Sequence, residues 1–141
     1  YSEEVVVVCN PKSPAGALTD FADLDTFRVL YPPKDSAIRP LVARVLISQG
    51  VPLFQNRIET ASPAFGRAVT MADPNVVWII SKGVVAEDIV NGRLAHLQID
   101  MTATLGAVGI MSRAEEIPSV AARSFSKLLN KLCEEGPSAS S

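Results

Sequence analysis

Residues 26–50 read TFRVLYPPKDSAIRPLVARVLISQG, and the two halves of this stretch have different periods. The first half is a short apolar run through Val29, Leu30 and Tyr31, cut off by Pro32-Pro33, which cannot donate to a sheet ladder. A strand is predicted over residues 26–31. The second half sets Ile38, Leu41, Val42, Val45 and Leu46 on one stripe at helical spacing. Ser36 is the expected N-cap, Pro40 falls in the first turn, and Gly50 is the expected stop. Strand, tight turn and amphipathic helix together make one β-α unit.

The unit repeats downstream. A short strand is predicted over residues 56–60, and Ser62 before Pro63 caps a helix expected to bury Phe65, Val69 and Met71. Asp73-Pro74 ends that helix, and residues 75–80 form the most apolar strand of the chain. A short helix over residues 82–90 closes at Asn91-Gly92. Ala95, Leu97 and Ile99 then alternate with His96, Gln98 and Asp100, the pattern of a half-exposed strand. Upstream, Val5-Val6-Val7-Val8 before Asn10-Pro11 reads as a strand buried on both faces, followed by a connector with Pro14 and Gly16 and a turn of helix over residues 19–24. Downstream, a strand is predicted over residues 105–113. Pro118 opens a last helix expected to bury Val120, Phe125, Leu128, Leu129 and Leu132.

Such alternation with short connections predicts an α/β fold with a largely parallel central sheet and helices on both faces. The first strand and the last strand-helix pair stand outside the repeat, beyond connectors at 10–25 and 100–105. A chain crossing into a second lobe at both ends is the expected arrangement.

Composition narrows the function. The chain has 141 residues, 48% of them hydrophobic and 20% charged, which excludes a disordered or low-complexity protein except for the Gly-Pro-Ser-Ala-Ser-Ser tail. A net charge of −2 offers no footprint for a polyanionic backbone. Cys9, Cys133 and the lone His96 are too few for a histidine or cysteine metal site, so neither metal nor cofactor is expected. The two thiols read as reduced cysteines of a cytoplasmic protein. The apolar runs are strand-sized, far short of the ~20 residues that span a bilayer, and no signal peptide is visible.

Enzymatic motifs are missing: there is no Gly-x-Ser-x-Gly elbow, phosphate loop or dinucleotide fingerprint. His96 sits on the polar face of its strand without a nucleophile nearby, and Glu115-Glu116 before the last helix is explained by the helix dipole. Ligands of open α/β sheets settle at the carboxyl ends of strands, where helix N-termini aim free N–H groups outward. Those places are the turn Pro33, Lys34, Asp35, Ser36, supplemented by Arg39; the turn Thr60, Ala61, Ser62; and Ser81 with Lys82 after the most apolar strand. A small carboxylate fits between the first two turns, and the same serines also serve as helix caps. Trp78 is expected in the core or a pocket wall, and Arg67 as a solvated charge.

The order of these pieces resembles a known family. EEVVVVCNPKSP (residues 3–14), LTDFADL (18–24), LYPPKDSAIR (30–39), Gln49-Gly50-Val51, Asn91-Gly92-Arg93-Leu94 and the last helix resemble the effector-binding domain of LysR-type bacterial transcriptional regulators. VWIISKGVV (77–85) and LGAVGIMSR (105–113) look most like the group regulating protocatechuate catabolism, with the galactose-binding-protein regulators near it. The resemblance implies a type 2 periplasmic-binding-protein-like fold of two α/β lobes with an inducer cleft between them. On that pattern residues 1–18 are a strand and connector of the first lobe, 19–100 the second lobe, 101–135 the return strand and helix of the first, and 136–141 a disordered tail. The family's winged helix-turn-helix and the opening half of the first lobe have no counterpart in these residues.

By the same resemblance the chain is expected to be a non-enzymatic sensor. Its effector would be a small carboxylate such as an aromatic-acid catabolite, held at Pro33–Ser36, Thr60–Ser62 and Ser81. It would reach DNA only through the family's N-terminal domain and work as a homo-oligomer away from membranes. A solute-binding protein of a transport system shares the same fold and is the alternative. The chain departs from the family at Ser13-Pro14-Ala15, where relatives have His-Pro-Leu, at residues 72–75, where they have a Gly-x-Gly turn, and at Ser81, where they have proline.

Overall fold

The computed structural model describes residues 1–134. Strands β1 (Ser2–Glu3) and β2 (Val5–Cys9) open the chain, and all five residues of β2 are buried. Two 3-10 turns follow, Pro14–Ala17 and Phe21–Thr26, each opened by a side chain, Ser13 or Asp20, that accepts a backbone N–H. The repeating part then comprises β3 (Arg28–Tyr31), α1 (Arg39–Ser48), β4 (Arg57–Glu59), α2 (Pro63–Ala72), β5 (Val76–Ser81) and α3 (Lys82–Val90). Two-residue strands β6 (Ala95–His96) and β7 (Gly106–Ala107) and helix α4 (Val120–Glu134) complete it.

Five strands form one sheet in the order β4-β3-β5-β2-β6. Strand β3 runs parallel to β4 and β5, as right-handed β-α-β connections require. Strand β2 is antiparallel to β5, pairing Val5 with Ser81 and Cys9 with Val77, and antiparallel to β6. The sheet is therefore mixed rather than largely parallel. Strand β2 enters from outside the β-α repeat, so no crossover helix dictates its direction. Its run of apolar residues requires cover on both faces, which an interior position supplies.

Residues Ser2–Gly106 make one compact unit, with β2 inside its sheet. Alternate residues of β2 feed two cores. Val5, Val7 and Cys9 pack with Phe21, Tyr31, Val42, Leu46 and Phe54, while Val6 and Val8 pack with Leu30, Trp78, Val85 and Leu94. Trp78 is thus a core residue. Gly66 of α2 faces it so closely that a methyl group there would overlap the indole. Helix α2 therefore buries Gly66 and Thr70, with Val69 and Met71 partly covered, whereas Phe65, expected inside, is exposed.

Tyr1 and residues 107–134 form the second compact unit. The strand expected over residues 105–113 shrinks to β7, because a strand persists only as far as its ladder and none continues past Val108 among the described residues. Val120, Phe125, Leu128 and Leu132 of α4 are exposed, not buried. The tail at 136–141 lies outside the described residues.

Candidate functional site

Strands β4, β3 and β5 are adjacent and parallel, so their carboxyl ends share one edge of the sheet. The turns predicted to hold a ligand leave from that edge. The Thr60 N–H donates to the Tyr31 carbonyl at 3.1 Å, which joins the turn after β4 to the start of the turn after β3. Pro33, Lys34, Asp35 and Ser36 thus follow one strand, and Thr60, Ala61 and Ser62 the strand beside it.

The two serines differ in what they do. Ser62 caps α2: its Oγ accepts the Phe65 N–H at 3.2 Å, and Thr60 Oγ1 accepts the Ser62 N–H at 3.1 Å. Ser36 does not cap α1. Ile38 occupies the N-cap position in a helical conformation, so a preceding turn holds the chain by its backbone. The Ser36 N–H donates to Pro33 at 3.0 Å and its carbonyl accepts from Arg39 at 3.2 Å. The Ser36 side chain is half-buried, and its hydroxyl has no protein partner among the described residues.

Ser81 ends β5 at the same edge and precedes α3, without a side-chain capping bond. The turn beyond it is occupied by the chain's own carboxylates. The Gly83 N–H donates to both oxygens of Glu3, at 3.1 and 3.3 Å, and Lys82 Nζ pairs with Glu4 at 2.7 Å. Lys82 is thus already neutralised, and Ser81 alone remains from that turn.

Sequence reasoning missed the ionic cluster between the first two turns. Glu59, the last residue of β4, lies opposite Tyr31 in the ladder and accepts from Arg39 Nη1 at 2.9 Å and Arg57 Nε at 3.1 Å. These hydrogen bonds hold the Glu59 carboxyl below the ordinary carboxylate range. The Arg39 guanidinium lies 4.9 Å from the centre of the Tyr31 ring, a cation-π distance, and its Nη1 also donates to the Pro32 carbonyl at 3.0 Å. Burial pushes the Tyr31 phenol up, against the opposing charge of Arg39. The signal was present as Arg57-x-Glu59, whose alternation puts both side chains on one face of a strand.

Arg67 is not a solvated charge. It pairs at 2.8 Å with Asp88, which is buried, and Arg93 meets the other carboxylate oxygen at 2.8 Å. Cys9 is buried and Cys133 exposed, both as free thiols. Among the described residues no cluster suited to a metal ion occurs, and no helix is long and apolar enough to cross a membrane. The C-terminal unit carries an open hollow walled by Arg113, Glu116, Pro118 and Ala122, which contains none of the predicted site residues.

Comparison with known proteins agrees with this architecture. Over 122 residues the chain is 43% identical to the HTH-type transcriptional regulator PcaQ of Agrobacterium fabrum and to PcaQ of Rhizobium radiobacter, a match covering 85% of this chain and 39% of each relative. The chain thus spans about two fifths of the curated relatives it matches. Among solved structures it is similar to the CcmR regulatory domain of Synechocystis PCC6803 in complex with 2-PG, with a TM-score of 0.71 and 15% identity over 97% of this chain and 66% of that one. The effector-binding domain of QuiR in complex with shikimate gives 0.63 and 15% over 96% and 63%. The regulatory domain of HypT from Salmonella typhimurium gives 0.66 and 17% over 96% and 63%. These likenesses establish the type 2 periplasmic-binding-protein-like fold. Residues 1–134 match the LysR substrate binding domain, and the chain belongs to that family.

Proposed function

We propose that the chain is the effector-sensing part of a LysR-type transcriptional regulator, a binding module rather than an enzyme, which takes a small carboxylate such as an aromatic-acid catabolite. The observation that carries this reading is the junction of the two turns through Thr60 and Tyr31. It gathers a free hydroxyl at Ser36, the hydroxyls of Thr60 and Ser62 and the Arg39 guanidinium at the carboxyl ends of parallel strands, where ligands of open sheets bind. Pro33, Lys34, Asp35 and Ala61 complete the two turns, and Ser81 adds a third hydroxyl. The resemblance of residues 77–85 and 105–113 to regulators of protocatechuate catabolism, beside the 43% identity to PcaQ, supports an aromatic acid over other carboxylates.

DNA is contacted by a winged helix-turn-helix outside these residues, and the protein works in the cytoplasm as a homo-oligomer. On this reading residues 101–135 contribute a return strand and helix to the first lobe. Effector binding shifts the regulator through its differential affinity for two arrangements of the protein. In the full-length gene product, Ser36→Ala and Ser62→Ala are expected to weaken the response to 3,4-dihydroxybenzoate while DNA affinity stays unchanged. An unaltered titration midpoint in both variants removes these serines from the site.

A further inference from the structure

We infer that Arg39 is the residue that reads the effector's carboxylate, and that Glu59 and the Pro32 carbonyl hold it in position to do so. The inference rests on the carboxylate-sensing reading above and assigns its recognition to one side chain. A guanidinium carries five N–H donors in a planar fork. In Arg39 only Nη1 is engaged among the described residues, by Glu59 at 2.9 Å and Pro32 at 3.0 Å. The Nε–Nη2 edge is left without a protein partner, and that edge matches a carboxylate bidentately. The Tyr31 ring, 4.9 Å from the guanidinium carbon, supports the plane from one face.

Charge points the same way. Glu59 is shared between Arg39 and Arg57, so two guanidinium groups meet one carboxylate and the cluster keeps an excess positive charge. Arg57 is also committed to the Phe54 carbonyl at 2.9 Å through Nη1. Of the two, Arg39 is the one that also touches the turn after β3, through the Pro32 carbonyl, and its side chain remains 17% exposed. A brace alone would not need an open fork in a turn that also carries the unpartnered Ser36 hydroxyl. Lys34, exposed in the same turn, offers a hydrated point charge with no geometric match to a carboxylate. Glu59 is a positioning residue: without it Nη1 loses its anchor and the fork its fixed orientation.

The test compares two probes that differ only in the group to be read, 3,4-dihydroxybenzoate and 3,4-dihydroxybenzamide, by calorimetric titration of the full-length gene product. The wild type is expected to prefer the acid by tenfold or more. Arg39→Gln should bring that preference to within twofold. Arg39→Lys, which keeps the charge and is the safer substitution for folding, should retain only part of the preference. Glu59→Gln should reduce it less than Arg39→Gln does. If the acid binds the wild type and keeps its tenfold preference in both Arg39 variants, another group reads the carboxylate and this assignment is wrong, although the sensing reading stands. If the wild type binds neither this acid nor a panel of other small aromatic and aliphatic carboxylates, the assignment falls together with that reading.

Discussion

Asp88 offers the sharpest test of how this sheet is held to its helices. Its carboxylate is 2% exposed and each oxygen accepts one arginine at 2.8 Å, Arg67 from α2 on one side and Arg93 from the segment before β6 on the other. Arg67 also donates to the Val84 carbonyl at 2.9 Å, so three parts of the chain meet at one acid. A hydrogen bond to a charged group is worth roughly 1.5–3 kcal/mol. The arginine side chains are 37% and 50% exposed, and water screens about half of that. Asp88→Asn, which keeps the volume, should therefore cost about 1.5–3 kcal/mol at neutral pH. Burial works to raise the Asp88 pKa, but the hydrogen bonds and charges of Arg67 and Arg93 outweigh it and hold the carboxyl below its ordinary value. A folded pKa below the unfolded value of about 3.9 gives stability that is fully present above about pH 5 and is lost as pH falls through the folded pKa. The wild-type and Asp88→Asn curves should accordingly converge on acidification. Urea unfolding followed by the fluorescence of Trp78, the one tryptophan and a core residue of this unit, measures both quantities. A difference under about 0.5 kcal/mol at pH 7, or one that does not shrink below pH 4, refutes the reasoning.

Two further outcomes follow from packing and burial. Gly66→Ala should destabilise the protein by about 1–3 kcal/mol and alter the Trp78 emission, since the indole or α2 must move to admit a methyl group; urea melts and emission spectra together check it. Cys133 is exposed while Cys9 is buried, with its thiol pushed up by that burial, so an iodoacetamide pulse on the native chain should label Cys133 and spare Cys9 until denaturant is added. Equal labelling of both in native buffer would show that β2 is not the interior strand described.

What could be read in the sequence was whatever local periodicity and turn chemistry determine. The stripe of Val42, Val45 and Leu46, the cap at Ser62 and the stop at Gly50, whose φ is +66°, all follow from neighbours within a turn or two. Strand β2 was legible as buried on both faces, yet its partners were not, because four valines state a need for cover and not which strand supplies it. Its partner β5 lies some seventy residues away, and only the pairing of Val5 with Ser81 shows that both ends of the connector belong to one sheet. Ser36 misled for a related reason: a serine before a proline-led helix looks like a cap, but the turn from Pro33 to Arg39 satisfies the backbone first and releases the hydroxyl. The charged groups were least legible. Arg67 and Asp88 are twenty-one residues apart, and Arg39 reaches Glu59 across a strand and a helix, separations at which sequence spacing carries no information about contact. The turns proposed to hold an effector, and Arg39 beside them, were therefore visible from sequence, while the ion pair that fixes Arg39 emerged only when β3 and β4 set Tyr31 opposite Glu59.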